Sequence, residues 1–233
     1  MLKLPTLREM LDAGAHFGHK TSRWQPSMTP YIFTVKSGVH IINLEKTEEK
    51  LKEAVAHVSD LIAKGKIVVF VGTKKQSSEI VKKAAVACAM PYVNVRWLGG
   101  TITNFNTVKT SIKKYEKIKA ELDNADSLEM PKSEISKLRK QVLRGDKFLE
   151  GLSKLDRKPD ALILFGAHDE KNALKEAKTA GIELIAICDT NSNPQEIDFP
   201  VPANDDATKS IEMFANVFAQ AIIAAKPRVE IKN

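Results

Sequence analysis

The stretch KIVVFVGTKKQSSEIVKKAA, residues 66–85, passes from an apolar β-branched run through one glycine and two lysines into a helical pattern. A strand, a glycine and a helix N-terminus with free amides form an arrangement that attracts phosphate groups. A P-loop requires more, namely GxxxxGK followed by Ser or Thr, so that a looping backbone wraps the anion. Here Gly72 is followed by TKKQSSE with no second glycine. Lys74 and Lys75 therefore read as unshared cations for a nucleic-acid backbone, with Ser77 or Ser78 capping the helix.

Three other stretches carry residue types suited to chemistry. RWLGGTITNF (96–105) sets Arg96 beside Trp97, and Gly99 and Gly100 allow close backbone approach. A guanidinium, an indole and the amides of Asn94 and Asn104 suit RNA, where shape, sugar hydroxyls and stacking matter; a buried Trp97 above a plain tight turn is the alternative. HFGHKTSRWQPSMTPYIF (16–33) puts His16 and His19 three apart, followed by Lys20, Arg23 and Trp24. Two histidines could share a metal, but zinc wants three or four ligands and no further His or Cys lies nearby, so packed or surface histidines are the plainer reading. Arg23 and Trp24, ahead of two prolines that stiffen the loop, form a phosphate-and-stacking pair. The acidic loops DTNSNPQEIDF (189–199) and ANDDA (203–207) could hold a hard cation through Asp189, Asp205 and Asp206, although turn formation and helix capping explain the same residues. No nucleophile elbow, HExxH, serine-centred triad or Cys beside a His appears, which leaves an enzyme without named parts.

Such groups need elements to position them. IVVFVG (67–72), YVNVRWL (92–98), ALILFG (161–166) and LIAICD (184–189) read as buried strands, and FPVPAN (199–204) as an edge strand because of its prolines. Helical patterns at 77–90, 170–181 and 206–226 alternate with them, which predicts a parallel sheet covered on both faces. PYIFTVKSGVHIINL (30–44) predicts two strands around Lys36-Ser37-Gly38. The alternation stops between about 106 and 158. There Ile135, Leu138, Val142, Gly145, Leu149 and Leu152 recur at steps of three and four, facing a stripe of Val108, Ile112, Tyr115, Ile118 and Leu122. This predicts an inserted coiled-coil hairpin, 106–158, turning around Asp123 to Pro131, set into an α/β domain made of 1–105 and 159–233.

Composition bounds the function classes. The 233 residues, 43% hydrophobic and 28% charged, fit a soluble globular protein, and no apolar run of about 18 residues marks a membrane span. The N-terminus lacks the apolar core of a secretory signal, so a cytoplasmic location is expected. Cys88 and Cys188 sit in apolar contexts far apart and read as buried free thiols. Charge is segregated: residues 66–115 hold nine Lys/Arg against one acid, and residues 159–206 hold three lysines against ten acids. One region suits a polyanion and the other would repel it. Two rival readings are an α/β enzyme for phosphorylated ligands using Gly72 and the acidic loops, and a protein adaptor working through the hairpin and the acidic region.

AGAHFGHKTSRWQPSMTPYIF, HIINLEKT, VGTKKQ, RWLGGTITNFNTVKTSIKK and AICDTNSNPQEIDFPVPANDDATKSI resemble, with the hairpin between them, the bacterial small-subunit (30S) ribosomal protein two family over nearly the whole chain. The resemblance implies a flavodoxin-like α/β fold with a protruding coiled-coil hairpin, bound to small-subunit ribosomal RNA between head and body and associated with the ribosome in the cytoplasm. It also implies neighbouring small-subunit proteins as partners, including docking of the messenger-binding small-subunit protein one, and no enzymatic activity. The expected RNA contacts are Lys20, Lys74, Lys75, Arg96, Lys109, Lys113 and Lys114, with Arg23, Trp24 and Asn104 ordering the structure around them. No cofactor is required; members with a metal imply His19, Asp189 and Asp205 as its ligands, for zinc or magnesium. Gly166 replaces a common acid and Ala203 a common glycine, and the chain stops at PRVEIKN where relatives often carry an acidic tail.

Overall fold

The computed structural model describes residues 3–124 and 131–226. Strands β1 (Phe17–Lys20), β2 (Ile32–Lys36) and β3 (Val39–Ile42) form an antiparallel ribbon in the order β1-β3-β2. The apolar runs form β4 (Val68–Val71), β5 (Tyr92–Val93), β6 (Ala161–Phe165), β7 (Glu183–Cys188) and β8 (Phe199–Pro202), a parallel sheet in the order β5-β4-β6-β7-β8. This is a flavodoxin-like order, in which the chain enters near the middle, steps outward once, and then crosses to the other side. β8 lies at an edge, where Pro200 and Pro202 remove no needed ladder donor.

Among the described residues the α-helices that accompany the strands are α1 (Leu7–Asp12), α2 (Leu44–Ala63), α3 (Ser78–Ala87), α4 (Phe105–Asp123), α5 (Lys132–Phe148), α6 (Lys171–Ala180) and α7 (Thr208–Ala225). Alternating side chains of the sheet feed two cores. Val68, Phe70, Ile163, Phe165, Ile185 and Ile187 pack with α2, α3 and α7 on one face. Val69, Val71, Leu162, Leu164, Leu184 and Ala186 pack with Trp97, Ile102, Phe105 and α6 on the other. Both faces are buried, which is why these strands read as continuous apolar runs. Gly181 takes the left-handed conformation that ends α6 (φ 67°). Both cysteines are free and buried, and burial raises the Cys88 thiol to about 11.

The structure departs from the sequence reading in several places. Only Tyr92–Val93 of YVNVRWL is strand; beyond it the chain turns to bury Trp97, which is 5% exposed, instead of extending the ladder. β1 and α2 have no counterpart among the expected elements, although α2 places Leu51, Ala54, Val58 and Leu61 on one buried stripe. In 106–158, Val108, Ile112, Tyr115, Val142 and Gly145 are buried where α4 meets α5, whereas Ile118, Leu122, Ile135 and Leu138 are only half-buried. Leu149 and Leu152 lie past the end of α5. The expected turn at 125–130 falls outside the described residues. Ser77 is the residue before α3, but its hydroxyl donates to the Lys74 carbonyl and caps nothing.

Candidate nucleic-acid interface

The loops that follow β4 and β6 flank the point where the sheet reverses its winding, the usual ligand crevice of such folds. The chain lines this crevice with its own charged groups, His19, Arg23, Lys74, Lys75, Asp169 and Asp206, around a cavity of about 650 Å³. Gly72 serves packing, since a Cβ there would lie 2.7 Å from Val81 and 3.0 Å from the Ser77 hydroxyl. The Thr73 N–H, where a phosphate would sit, donates to Glu170 at 2.6 Å. Lys74 corrects the sequence reading most sharply. It is not an unshared cation: its ammonium lies 2.7 Å from Asp205, 2.9 Å from Asp169 and 3.0 Å from Asp206. Burial works against its charge, but these carboxylates, Asp205 foremost, outweigh it and hold the group above the ordinary lysine range. Asp205 is itself fully buried and is pushed upward by that burial and by Asp189, against the pull of Lys74.

The metal set is corrected with it. His19 Nδ1 lies 3.0 Å from Asp189, and Nε2 lies 3.5 Å from Asp206. The ligand atoms that converge are those of His19, Asp189 and Asp206, within 4.8 Å of one another, whereas one Asp205 oxygen faces Lys74 and the other is buried without a partner. Asp189 also accepts the Thr190 N–H at 2.5 Å, a turn role. Hydrogen bonding to Asp189 raises His19 against its own burial. With an ammonium fixed among these carboxylates, the donor set does not fit a resident zinc or magnesium, and no role is derived for one.

A second organised region is the loop 96–104. Glu176 on α6 accepts the Gly100 N–H (2.7 Å), the Ile102 N–H (3.0 Å), the Thr103 N–H and hydroxyl (both 3.2 Å) and the Trp97 indole (3.1 Å). Burial would raise this carboxyl, but the donors, led by Ile102 and Gly100, hold it below the usual glutamate range. Glu176 is the residue that sequence reasoning missed; an isolated acid on a helix facing a Gly-Gly loop gives no signal until the fold brings them together. A depressed carboxyl stabilises the fold above its unfolded pKa, and that support disappears as pH falls through the lower folded value. Glu176→Ala is expected to cost about 2 kcal/mol, as several donors lose their acceptor in a half-open site. Glu176→Gln should fall between, and the difference between wild type and Glu176→Ala in melting temperature should shrink at pH below about 4.

The loop ends at an interface that gathers much of the expected set. Arg96 is exposed on it, Asn104 sits before α4 with its side-chain Oδ1 accepting from the Thr107 hydroxyl at 2.8 Å, and α4 continues with Lys109, Lys113 and Lys114. Lys113 and Lys114 are exposed; Lys109 is half-buried and donates to the Asp156 carbonyl at 2.5 Å. Lys75 is exposed beside the crevice. Arg23 lines the same cavity as Lys75, while Lys20 and Trp24 lie at the ribbon, where the Trp24 ring is tilted over His40 at 5.0 Å. Ion pairs divide the basic region: Lys66 and Lys82, like Lys74, pair with acids, whereas Lys75, Lys83, Arg96, Lys113 and Lys114 have no carboxylate partner among the described residues. No helix of the described residues is long and apolar enough to cross a membrane.

A flavodoxin-like sheet whose crevice is walled by internal ion pairs, with free cations displayed along a loop and a helix, defines a binding scaffold. The family model described as "Ribosomal protein S2" matches residues 10–225, and the chain belongs to that family. It is 44% identical over 218 residues to "Small ribosomal subunit protein uS2" of Bdellovibrio bacteriovorus, covering 94% of this chain and 70% of that one. It is 42% identical over 231 residues to proteins of the same name in two strains of Chloroflexus aurantiacus, covering 99% of this chain and 97% of each. The family is a structural, non-enzymatic component of the small ribosomal subunit in translation.

Proposed function

We propose that this chain binds small-subunit ribosomal RNA between head and body through the face built from the 96–104 loop and α4. Arg96, Lys113 and Lys114 contact phosphates, Lys109 orients the start of the hairpin unit 106–158, and Asn104 orders the loop. Lys75, Lys20, Arg23 and Trp24 extend the contact toward the crevice and the ribbon; Lys74 balances charge within the protein. The observation that carries this reading is the display of Arg96 on a loop pinned by Glu176 and of Lys113 and Lys114 on α4, all without carboxylate partners among the described residues. Phosphate contacts supply affinity and position, and lose it with salt. Acids of the 159–206 region, among them Glu196 and Asp198, are exposed and suit protein neighbours, including docking of the messenger-binding small-subunit protein one.

Tagged protein sedimented through a sucrose gradient is expected to co-migrate with small subunits. In filter binding to small-subunit RNA, replacing Lys113 and Lys114 by glutamine should flatten the log-log salt dependence by about 1.5, at about 0.7 to 0.9 per lost phosphate contact. An unchanged slope would remove this face from the RNA contact. Protein partners that stay bound after ribonuclease treatment are the expected sign of the acidic region at work.

A further inference from the structure

We infer that the cleft between α4 and α5, beside the 96–104 loop, receives one unstacked base of the bound RNA strand. This deepens the RNA-binding reading and rests on it. The cleft holds about 380 Å³, within the range of small-ligand sites. Its floor is apolar, made by Tyr115, Ile118, Phe148 and Leu149. Its rim carries Lys114 and Arg144 as cations and Ser111 and Gln141 as hydrogen-bonding groups, with no acid among the lining residues. Lys147 lies 5.4 Å from the Phe148 ring centroid and adds a third cation.

The ring at its floor is seated by Gly145, which has no side chain: a Cβ there would overlap the Tyr115 ring. Asp146, which could repel a polyanion, is occupied by the Tyr115 hydroxyl and the Lys119 ammonium. An aromatic and aliphatic floor with polar edge groups and cations around the mouth has the chemistry by which proteins hold splayed RNA bases. An apolar peptide side chain would fit the floor equally, but α4 and α5 together carry eleven Lys/Arg against five acids, which favours a polyanion.

The test uses the full chain, a fluorescent twelve-nucleotide oligoadenylate and an abasic oligonucleotide of the same length, at low salt. Wild type should bind the oligoadenylate about tenfold more tightly than the abasic strand, the scale of one base stacked on an aromatic group. Ser111→Trp, an exposed position whose indole would cover the mouth, should remove that difference while leaving abasic binding and the melting temperature unchanged. Lys114→Gln should weaken both strands alike. Equal wild-type affinity for the two strands, or a Ser111→Trp protein that keeps the difference, overturns the base site. If Ser111→Trp instead abolishes capture of a small-subunit protein and leaves both strands untouched, the cleft is a peptide site and the inference fails. A wild-type chain that binds small-subunit RNA yet fails these tests loses the base site alone; one that binds no RNA loses the underlying reading as well.

Discussion

Lys74→Met is expected to destabilise the chain by about 3–5 kcal/mol, the usual cost of leaving one member of a buried ion pair alone. The reason lies in Asp205, which is fully buried with one oxygen on the Lys74 ammonium at 2.7 Å and the other without a partner. Asp169 and Asp206 are more exposed and can turn to water; Asp205 cannot. Methionine keeps most of the aliphatic stem, so the loss reports charge more than packing. For a chain of this size the melting temperature should fall by about 10 °C. Asp205→Asn alone should cost less, and the Lys74→Met/Asp205→Asn protein should recover much of the loss, because removing both charges eliminates the uncompensated one. Thermal unfolding of the four proteins completes the cycle. A single mutant that melts like wild type would show that the ammonium does not balance Asp205. The outcome also separates two roles that the sequence makes look alike: Lys75→Gln should weaken RNA binding with little change in melting temperature, whereas any RNA effect of Lys74→Met would follow unfolding.

The neighbouring lysines show where sequence reading runs out. Lys74 and Lys75 are adjacent and identical in type, and nothing local distinguishes them. One is spent on acids almost a hundred or more positions away, the other is exposed. The acidic and basic regions were legible as compositional blocks, but the parallel topology brings the loop after β4 against the loops after β6 and β8, so the blocks partly neutralise each other at the sheet's open end. The strands were legible because burial on both faces leaves unbroken β-branched runs. β5 was overextended because Trp97 satisfies the apolar pattern of a strand while packing from a loop. Sequence could not tell Asp205 from Asp206, neighbours whose side chains diverge: Asp205 is buried on the Lys74 ammonium, whereas Asp206 is exposed and reaches both Lys74 and His19. Gly166 belongs to the same arrangement: it adopts a left-handed φ of 111°, and a Cβ would lie 3.1 Å from Asp205 and 3.4 Å from the Lys74 stem. A larger side chain there would crowd the ion pair at the wall of the crevice.

Gly145→Ala sets two magnitudes against each other. In an exposed helix interior, alanine would be favoured over glycine by about 0.5–1 kcal/mol. Gly145 is buried within α5, at the position that interrupts the apolar seam in the sequence. There the added Cβ would overlap the Tyr115 ring, and the ring has little freedom to retreat. Its hydroxyl is tied to Asp146, and Lys119 sits 5.6 Å above the ring centroid. Overpacking of this kind costs about 1–3 kcal/mol, so the clash wins over the propensity gain and the net loss should be about 1–2 kcal/mol. The damage should be local: α4 and α5 would separate while the parallel sheet persists, so hydrogen exchange should rise at Ile112, Tyr115 and Val142 but not in β6 or β7. A compensating Tyr115→Leu, which withdraws the ring, should return part of the stability in the Gly145→Ala background and none in wild type. If Gly145→Ala alone raises the melting temperature, helix propensity outweighs the contact, and the glycine is not what sets the spacing between the two helices.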